Sequence, residues 1–260
     1  MLNWDSTGRF RLHDTGGTAI ALPGDQTGLA AALVIAAGPP RAGQHRSAGP
    51  ARCGGDPEAR NILHYVEALG ATAGSGIIDV RPGTEASNDR VATITTGDIH
   101  SQLKRRASYG PYLQSLLQAT AACLAKNPLP AVVAPQAHGP VELGLLPPLD
   151  RLSGPCRNTE LRDAIANWAE MMRYARCRDG SDCLASSSGR CRGALIFGGE
   201  RGGGQPRITP ADRQSTANYL EAPTLAALAA GQLGVLPERI ALPFASSDPA
   251  VTTDVALCIP

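Results

Sequence analysis

The feature that most constrains this chain is that part of it is written twice. Ala32-Leu-Val-Ile-Ala-Ala-Gly-Pro-Pro-Arg-Ala-Gly-Gln44-His-Arg46 has a counterpart in Gly193-Ala-Leu-Ile-Phe-Gly-Gly-Glu-Arg-Gly-Gly-Gly-Gln205-Pro-Arg207. Each passage is an aliphatic strand, a Gly/Pro turn, and then Gly-Gln-x-Arg. Downstream, Tyr65-Val-Glu67 answers Tyr219-Leu-Glu221, and Asn88-Asp-Arg-Val-Ala-Thr-Ile94 is echoed by Thr253-Asp-Val-Ala-Leu-Cys-Ile259. A period of roughly 160 residues is far too long for a solenoid, so it implies two related units rather than an array. The spacing from Arg to Tyr is longer in the first copy, which places an insertion around Cys53.

The repeated polar residues suggest how each unit closes. A Gln after a tight glycine turn bonds loop backbone through both ends of its amide. A following Arg reaches a carboxylate through two parallel hydrogen bonds. Gln44, Arg46 and Glu67 in one copy, and Gln205, Arg207 and Glu221 in the other, are therefore expected to be structural locks, with each Glu the partner of its Arg. Gly198 to Arg207 also invites comparison with a phosphate-cradling loop, with Arg201 and Arg207 as anion contacts. It lacks both the Gly-Lys-Ser/Thr ending of a P-loop and the Gly-x-Gly-x-x-Gly order of a dinucleotide loop.

Element signals fill in the rest. Phe10–Asp14, Leu29–Ala37, Ile77–Val80, Val91–Ile94, Ala194–Phe197 and Thr253–Ile259 read as strands, with Leu29–Ala37 buried. A short helix is expected over Ala59–Leu69 and another over Thr224–Ala230. Thr96 or Asp98 is expected to cap a helix that carries Ile99 and Leu103. Leu113, Leu116, Leu117 and Leu124 form an apolar stripe after Gly110-Pro111. Leu161, Ile165, Trp168 and Met172 keep to one helical face, started by Asn158 or Thr159 and ended by Arg173 and Arg176 at the negative end of the dipole. The Pro- and Gly-rich stretch from Leu129 is expected to be an irregular connector. The expected organisation is a first repeat unit with its following helices (1–128), a connector (129–157), and a helix, cysteine loop and second repeat unit (158–260). The fold class is α+β, mainly antiparallel sheet in two related β-rich units with intervening helices.

The chain holds 24 Lys+Arg against 23 Asp+Glu, a net charge of +1 that supplies no field for nucleic acid or anionic lipid. Its longest apolar run, Leu29–Ala37, is too short for a bilayer. Met1-Leu-Asn-Trp-Asp5 lacks the basic and apolar regions of a signal peptide. Aromatics are 4% of residues, so the core must come from Ala, Leu, Val and Ile. There are seven cysteines and no Cys-x-x-Cys pair, which removes the usual signature of zinc ribbons and thioredoxin-like sites. Cys177, Cys183 and Cys191 crowd a polar loop and are candidates for disulfide clips, which would require an oxidising compartment. The histidines are scattered, neither His-Glu-x-x-His nor Gly-x-Ser-x-Gly occurs, and no cofactor is expected.

Ala194-Leu-Ile-Phe-Gly-Gly-Glu-Arg201, Gly204-Gln-Pro-Arg207 and Ala217-Asn-Tyr-Leu-Glu221 together resemble a segment of the prepilin-like proteins of proteobacteria (minor pilin or pseudopilin type). Asn88-Asp-Arg-Val-Ala-Thr-Ile-Thr-Thr-Gly-Asp-Ile-His100, and Asn167-Trp168 with Tyr174-Ala175, are similar to further passages there. The resemblance covers residues 28–260 in patches. It implies a non-enzymatic, extracytoplasmic, pilus-associated structural or interaction protein whose partners are other pilus or secretion-system proteins. Members of that family begin with a basic leader and a long apolar anchor helix, which this sequence does not carry. The competing expectation is a small enzyme or anion-binding protein that uses the 198–207 loop.

Overall fold

The computed structural model describes residues 3–44, 62–72, 76–83, 87–125, 128–148, 154–187, 189–201, 204–241 and 252–260. In chain order the elements are β1 (Phe10–His13), β2 (Ala19–Ile20), β3 (Ala32–Ala36), β4 (Leu69–Thr72), β5 (Ile78–Val80), β6 (Arg90–Ile94), α1 (Thr96–Lys104) and α2 (Tyr109–Leu124). They continue with β7 (Val133–His138), β8 (Val141–Leu145), α3 (Thr159–Trp168), β9 (Met172–Cys177), β10 (Leu184–Ser186), β11 (Gly189–Cys191) and β12 (Gly193–Phe197). The last are α4 (Pro210–Gln214), α5 (Ala222–Ala229) and β13 (Val255–Ile259). The fold is α+β, with mostly antiparallel sheets.

The chain forms two compact units. One is Ser6–Leu103 and the other combines Met1–Asp5 with Lys104–Pro260. In the first, β2, β1, β5 and β4 make a sheet in that order, and β3 pairs with β6 as a two-stranded ribbon. The β1–β5 pairing is parallel and the others are antiparallel. α1 begins with a reciprocal cap. The Thr95 hydroxyl accepts from the Asp98 N–H at 3.1 Å, and the Asp98 carboxylate accepts from the Thr95 N–H at 2.8 Å. Thr95 is thus the cap, with Asp98 completing it.

The second unit is built on a five-stranded antiparallel sheet, order β13-β12-β9-β8-β7. Side chains alternate between its faces as the pleat requires. Leu195 and Phe197 of β12 pack with Trp4, Leu113, Leu117, Ile165 and Trp168, and Ala194 and Ile196 pack with Leu220, Leu228 and Leu233. The few aromatics are concentrated here. Trp4 lies with ring centroids 5.5 Å from Trp168 and 5.2 Å from Phe197, near the separation aromatic pairs favour. The leucine stripe of α2 is buried throughout. Asn158 caps α3 by accepting from the Leu161 N–H at 2.9 Å.

Four expectations are corrected. The expected irregular connector 129–157 instead supplies, over Val133–Leu145, the β7–β8 hairpin of the main sheet, with Gly139 at φ +51 in the turn. The helix of residues 159–168 does not continue to Met172. Backbone pairing with β8 and β12 takes Met172–Cys177 into a central strand instead, and Arg173 and Arg176 go with it. β3 is half exposed rather than buried, since it pairs with β6 alone among the named strands; Val34 is 60% exposed. In place of a helix over Ala59–Leu69, the described residues show a single 3₁₀ turn at Ile62–His64 followed by β4.

Six cysteines form three disulfides: Cys123–Cys156, Cys177–Cys183 and Cys191–Cys258. Cys177, Cys183 and Cys191 are all bonded. The loop that carries them is a short hairpin, β10–β11, rather than an open segment. Cys53 lies outside the described residues. Three disulfides point to an oxidising, extracytoplasmic environment. Among the described residues no helix is long and apolar enough to cross a membrane.

Candidate functional site

The two copies of the repeat adopt the same local structure, held by an aspartate. β3 meets β6 with Ala32 opposite Ile94 and Ala36 opposite Arg90. β12 meets β13 in the equivalent register, Gly193 opposite Ile259 and Phe197 opposite Val255. The irregularity entering the strand is also shared: the Ala31 N–H donates to Ile94 O at 2.8 Å, and the Arg192 N–H to Ile259 O at 3.1 Å.

At the other end of each ribbon the aspartate closes the turn. Asp89 accepts from the Gly38 N–H at 3.4 Å through Oδ1, and from the Glu67 and Ala68 N–H groups at 2.6 and 3.0 Å through Oδ2. Asp254 accepts from the Gly199 N–H through Oδ1 and the Glu221 N–H through Oδ2, both at 2.9 Å. One carboxylate thus ties the glycine after the first strand to the Tyr-x-Glu segment. A carboxyl side chain serves because its two oxygens can accept from two separate backbone segments at once. In the sequence both aspartates stand only as members of the echoed passages 88–94 and 253–259; the signal is the Asp shared by Asn88-Asp89 and Thr253-Asp254.

The predicted locks divide unevenly around this clamp. Gln44 accepts from the Arg41 N–H at 3.0 Å, and its amide donates to Glu67 Oε1 at 2.7 Å; Glu67 Oε2 accepts from the Asn88 N–H at 3.0 Å. Arg46 lies outside the described residues. In the second copy, the Gln205 amide donates to Ala217 O at 3.3 Å. Arg207 Nε donates to Asn218 O at 2.6 Å, and Nη2 to Gln205 Oε1 at 3.4 Å. Contrary to the sequence expectation, Glu221 is not the partner of Arg207. It accepts from the hydroxyls of Thr252 and Thr253 at 2.7 and 3.0 Å.

The carboxylate facing Arg207 is Asp5, at 3.5 Å, with both side chains almost wholly buried. The Tyr219 hydroxyl donates to Asp5 Oδ2 at 2.7 Å. Its ring lies under two guanidinium groups, Arg173 at 3.8 Å and Arg207 at 4.3 Å from the ring centroid. Arg173, fully buried, donates to Glu170 O, Met172 O and Arg213 O. Burial brings its pKa down to about 10, partly countered by Tyr219. Burial also lowers that of Arg207, against the opposing pull of Asp5. The N-terminal Trp4-Asp5 pair thereby plugs both the aromatic core and the buried cation pair. No periodicity in the sequence ties residue 5 to residues 173, 207 and 219.

These placements decide what the residues do chemically. Arg207 has no exposed surface, so it is not an anion contact. Gly199 N–H, which a phosphate-cradling loop would offer to ligand, is taken by Asp254. Arg201 is exposed on that loop. The half-buried Glu221 and the fully buried Asp254 form a carboxyl pair: burial and then Glu221 push Asp254 up to about 8. Glu221 itself is lowered despite burial, because Asp254, Thr252 and Thr253 bond its carboxylate. In the first unit, His13 bridges Gly17 O at 3.0 Å and Asp79 at 2.9 Å, so both ring nitrogens face oxygen acceptors that hold the ring in place. A cleft of about 330 Å³ lies beside the Cys177–Cys183 disulfide, lined by Arg176, Arg178, Asp179 and Arg192 among others. Arg176 is already held there by Glu142 at 2.8 Å. Among the described residues no group of three His, Cys, Asp or Glu is arranged to hold a metal ion.

No protein-family model matches the chain, and no curated protein or solved structure is detectably similar to it.

Proposed function

We propose that this chain is a non-enzymatic, extracytoplasmic structural or interaction protein, and that it works in a pilus-associated, minor pilin-like role at the cell surface. The observation that carries the structural part is that the repeated polar residues turn inward. Gln205, Arg207, Glu221 and Asp254 bond backbone and one another, as Gln44, Glu67 and Asp89 do in the first copy. Side chains spent on loop backbone are unavailable to substrate. The three disulfides support the compartment, and the passages around Ala194–Glu221 and Asn88–His100 support the pilin-like role by resemblance. The partners on this reading are other pilus or secretion-system proteins.

The test is fractionation of native cells followed by thiol counting under denaturing conditions. The expected result is recovery outside the cytoplasm, with surface filaments sheared from the cells, and fewer than seven reactive thiols. Recovery from the cytoplasm with all seven thiols reactive overturns the proposal.

A further inference from the structure

The duplication also identifies an edge that is covered in one copy and, among the described residues, bare in the other. In the second unit the outer side of β12 pairs over its whole length with β9. Cys177 N–H donates to Arg192 O, and Gly198 N–H to Met171 O, on that side. Strand alternation then turns the N–H and C=O groups of Ala194 and Ile196 toward β9. Their equivalents in β3 are Leu33 and Ile35. Among the described residues β3 pairs with β6 only, and the Phe10–Ala30 bridge stops short of it. Edge strands are normally protected by a charge, a proline or a bulge. Ala32-Leu-Val-Ile-Ala36 has none of these, and Val34 is 60% exposed.

We propose that the outer edge of β3 pairs antiparallel with β3 of a second copy of this chain, about a twofold axis at Val34. The sequence suits that symmetry, because Ala-Leu-Val-Ile-Ala presents the same kinds of side chain in either direction. An isologous contact requires such self-complementarity. Ala32 falls opposite Ala36 of the second copy, Leu33 opposite Ile35, and Val34 opposite its own equivalent. Leu33 and Ile35, whose polar groups point outward, exchange N–H···O=C bonds across the axis. The result is a four-stranded sheet, β6-β3-β3-β6. A contact this small falls below the area of a standard stable interface, so the dimer is weak and depends on concentration.

Sedimentation velocity of the full, oxidised chain from about 1 μM to about 1 mM tests this. The wild type is expected to shift from monomer to dimer across the range. Val34→Lys places two ammonium groups opposite each other at the axis and should raise the dissociation constant about fivefold or more. Val34→Thr keeps a β-branched side chain without charge and should dimerise like the wild type. Val34 is exposed in the monomer, so both variants should fold, which circular dichroism checks. A wild-type chain that stays monomeric throughout, or a Val34→Lys chain that dimerises as well as the wild type, overturns the proposal.

Discussion

Replacing Asp254 with Asn should change how the stability of the second unit depends on pH. Asp254 is fully buried, accepts from two backbone N–H groups and lies beside Glu221. Burial and the neighbouring carboxyl raise its pKa from the ordinary 3.8 to about 8. Below pH 3.8 both folded and unfolded chains hold the proton, and the stability linked to this group is fully present. Between about pH 5 and 7 only the folded chain holds it, so unfolding releases one proton. Stability should then fall as pH rises, by roughly 1 kcal/mol per pH unit, and level off once pH has risen through the raised pKa. Glu221 does not offset this, because its lowered pKa leaves it ionised throughout the interval. Its stabilisation is lost only as pH falls below the ordinary carboxylate range. Asparagine cannot titrate, so the variant lacks the slope. Urea denaturation followed by tryptophan fluorescence reads the right unit, because Trp4 and Trp168, the only two tryptophans, both lie in its core. Wild-type and Asp254→Asn curves that run parallel from pH 5 to 7 would refute the raised pKa of Asp254.

Arg207→Met should cost about 3–5 kcal/mol by leaving Asp5 buried without its cation, whereas exposed Arg201→Gln should stay within ~0.5 kcal/mol; urea midpoints compare them. Removing Cys191–Cys258 by a double serine substitution should destabilise by about 4 kcal/mol, against about 2 for Cys177–Cys183, because the pairs lie 67 and 6 residues apart and the longer loop regains more chain entropy. Thermal melts of the two variants should therefore rank in that order, and equal losses would argue against a loop-entropy origin. Gly139→Ala should destabilise by more than about 2 kcal/mol, since its Cβ would sit 1.9 Å from Ala229 O at a positive φ; a melting temperature within a degree or so of wild type would contradict that packing.

Strand positions were legible wherever an aliphatic run met a turn signal, as at β3, β6, β12 and β13. Helix starts were legible where a side chain caps locally, as Asn158 does for α3. The end of α3 was not legible. Leu161, Ile165, Trp168 and Met172 share a helical face, and all but the partly buried Leu161 are fully buried. Even so, Met172 opens a strand, because ladder bonds from both sides outweigh a propensity spread over a few residues. Arg173 misled for the same reason: a charged residue reads as solvent-facing until carbonyls and a tyrosine ring from distant segments surround it. The β7–β8 hairpin was hidden by its prolines and glycines, which mark the turn and edge of a sheet as readily as a linker.

By itself the sequence determined the duplication, the α+β class and the cysteines available for bonding, because strand period, turn chemistry and residue identity are local properties. Only tertiary structure decided that Asp89 and Asp254 close the two turns, that Arg207 answers to Asp5 rather than Glu221, and that Cys191 bonds Cys258. Each of those contacts joins segments that no local pattern relates. A buried polar group takes whichever partner the packed chain brings within hydrogen-bond reach.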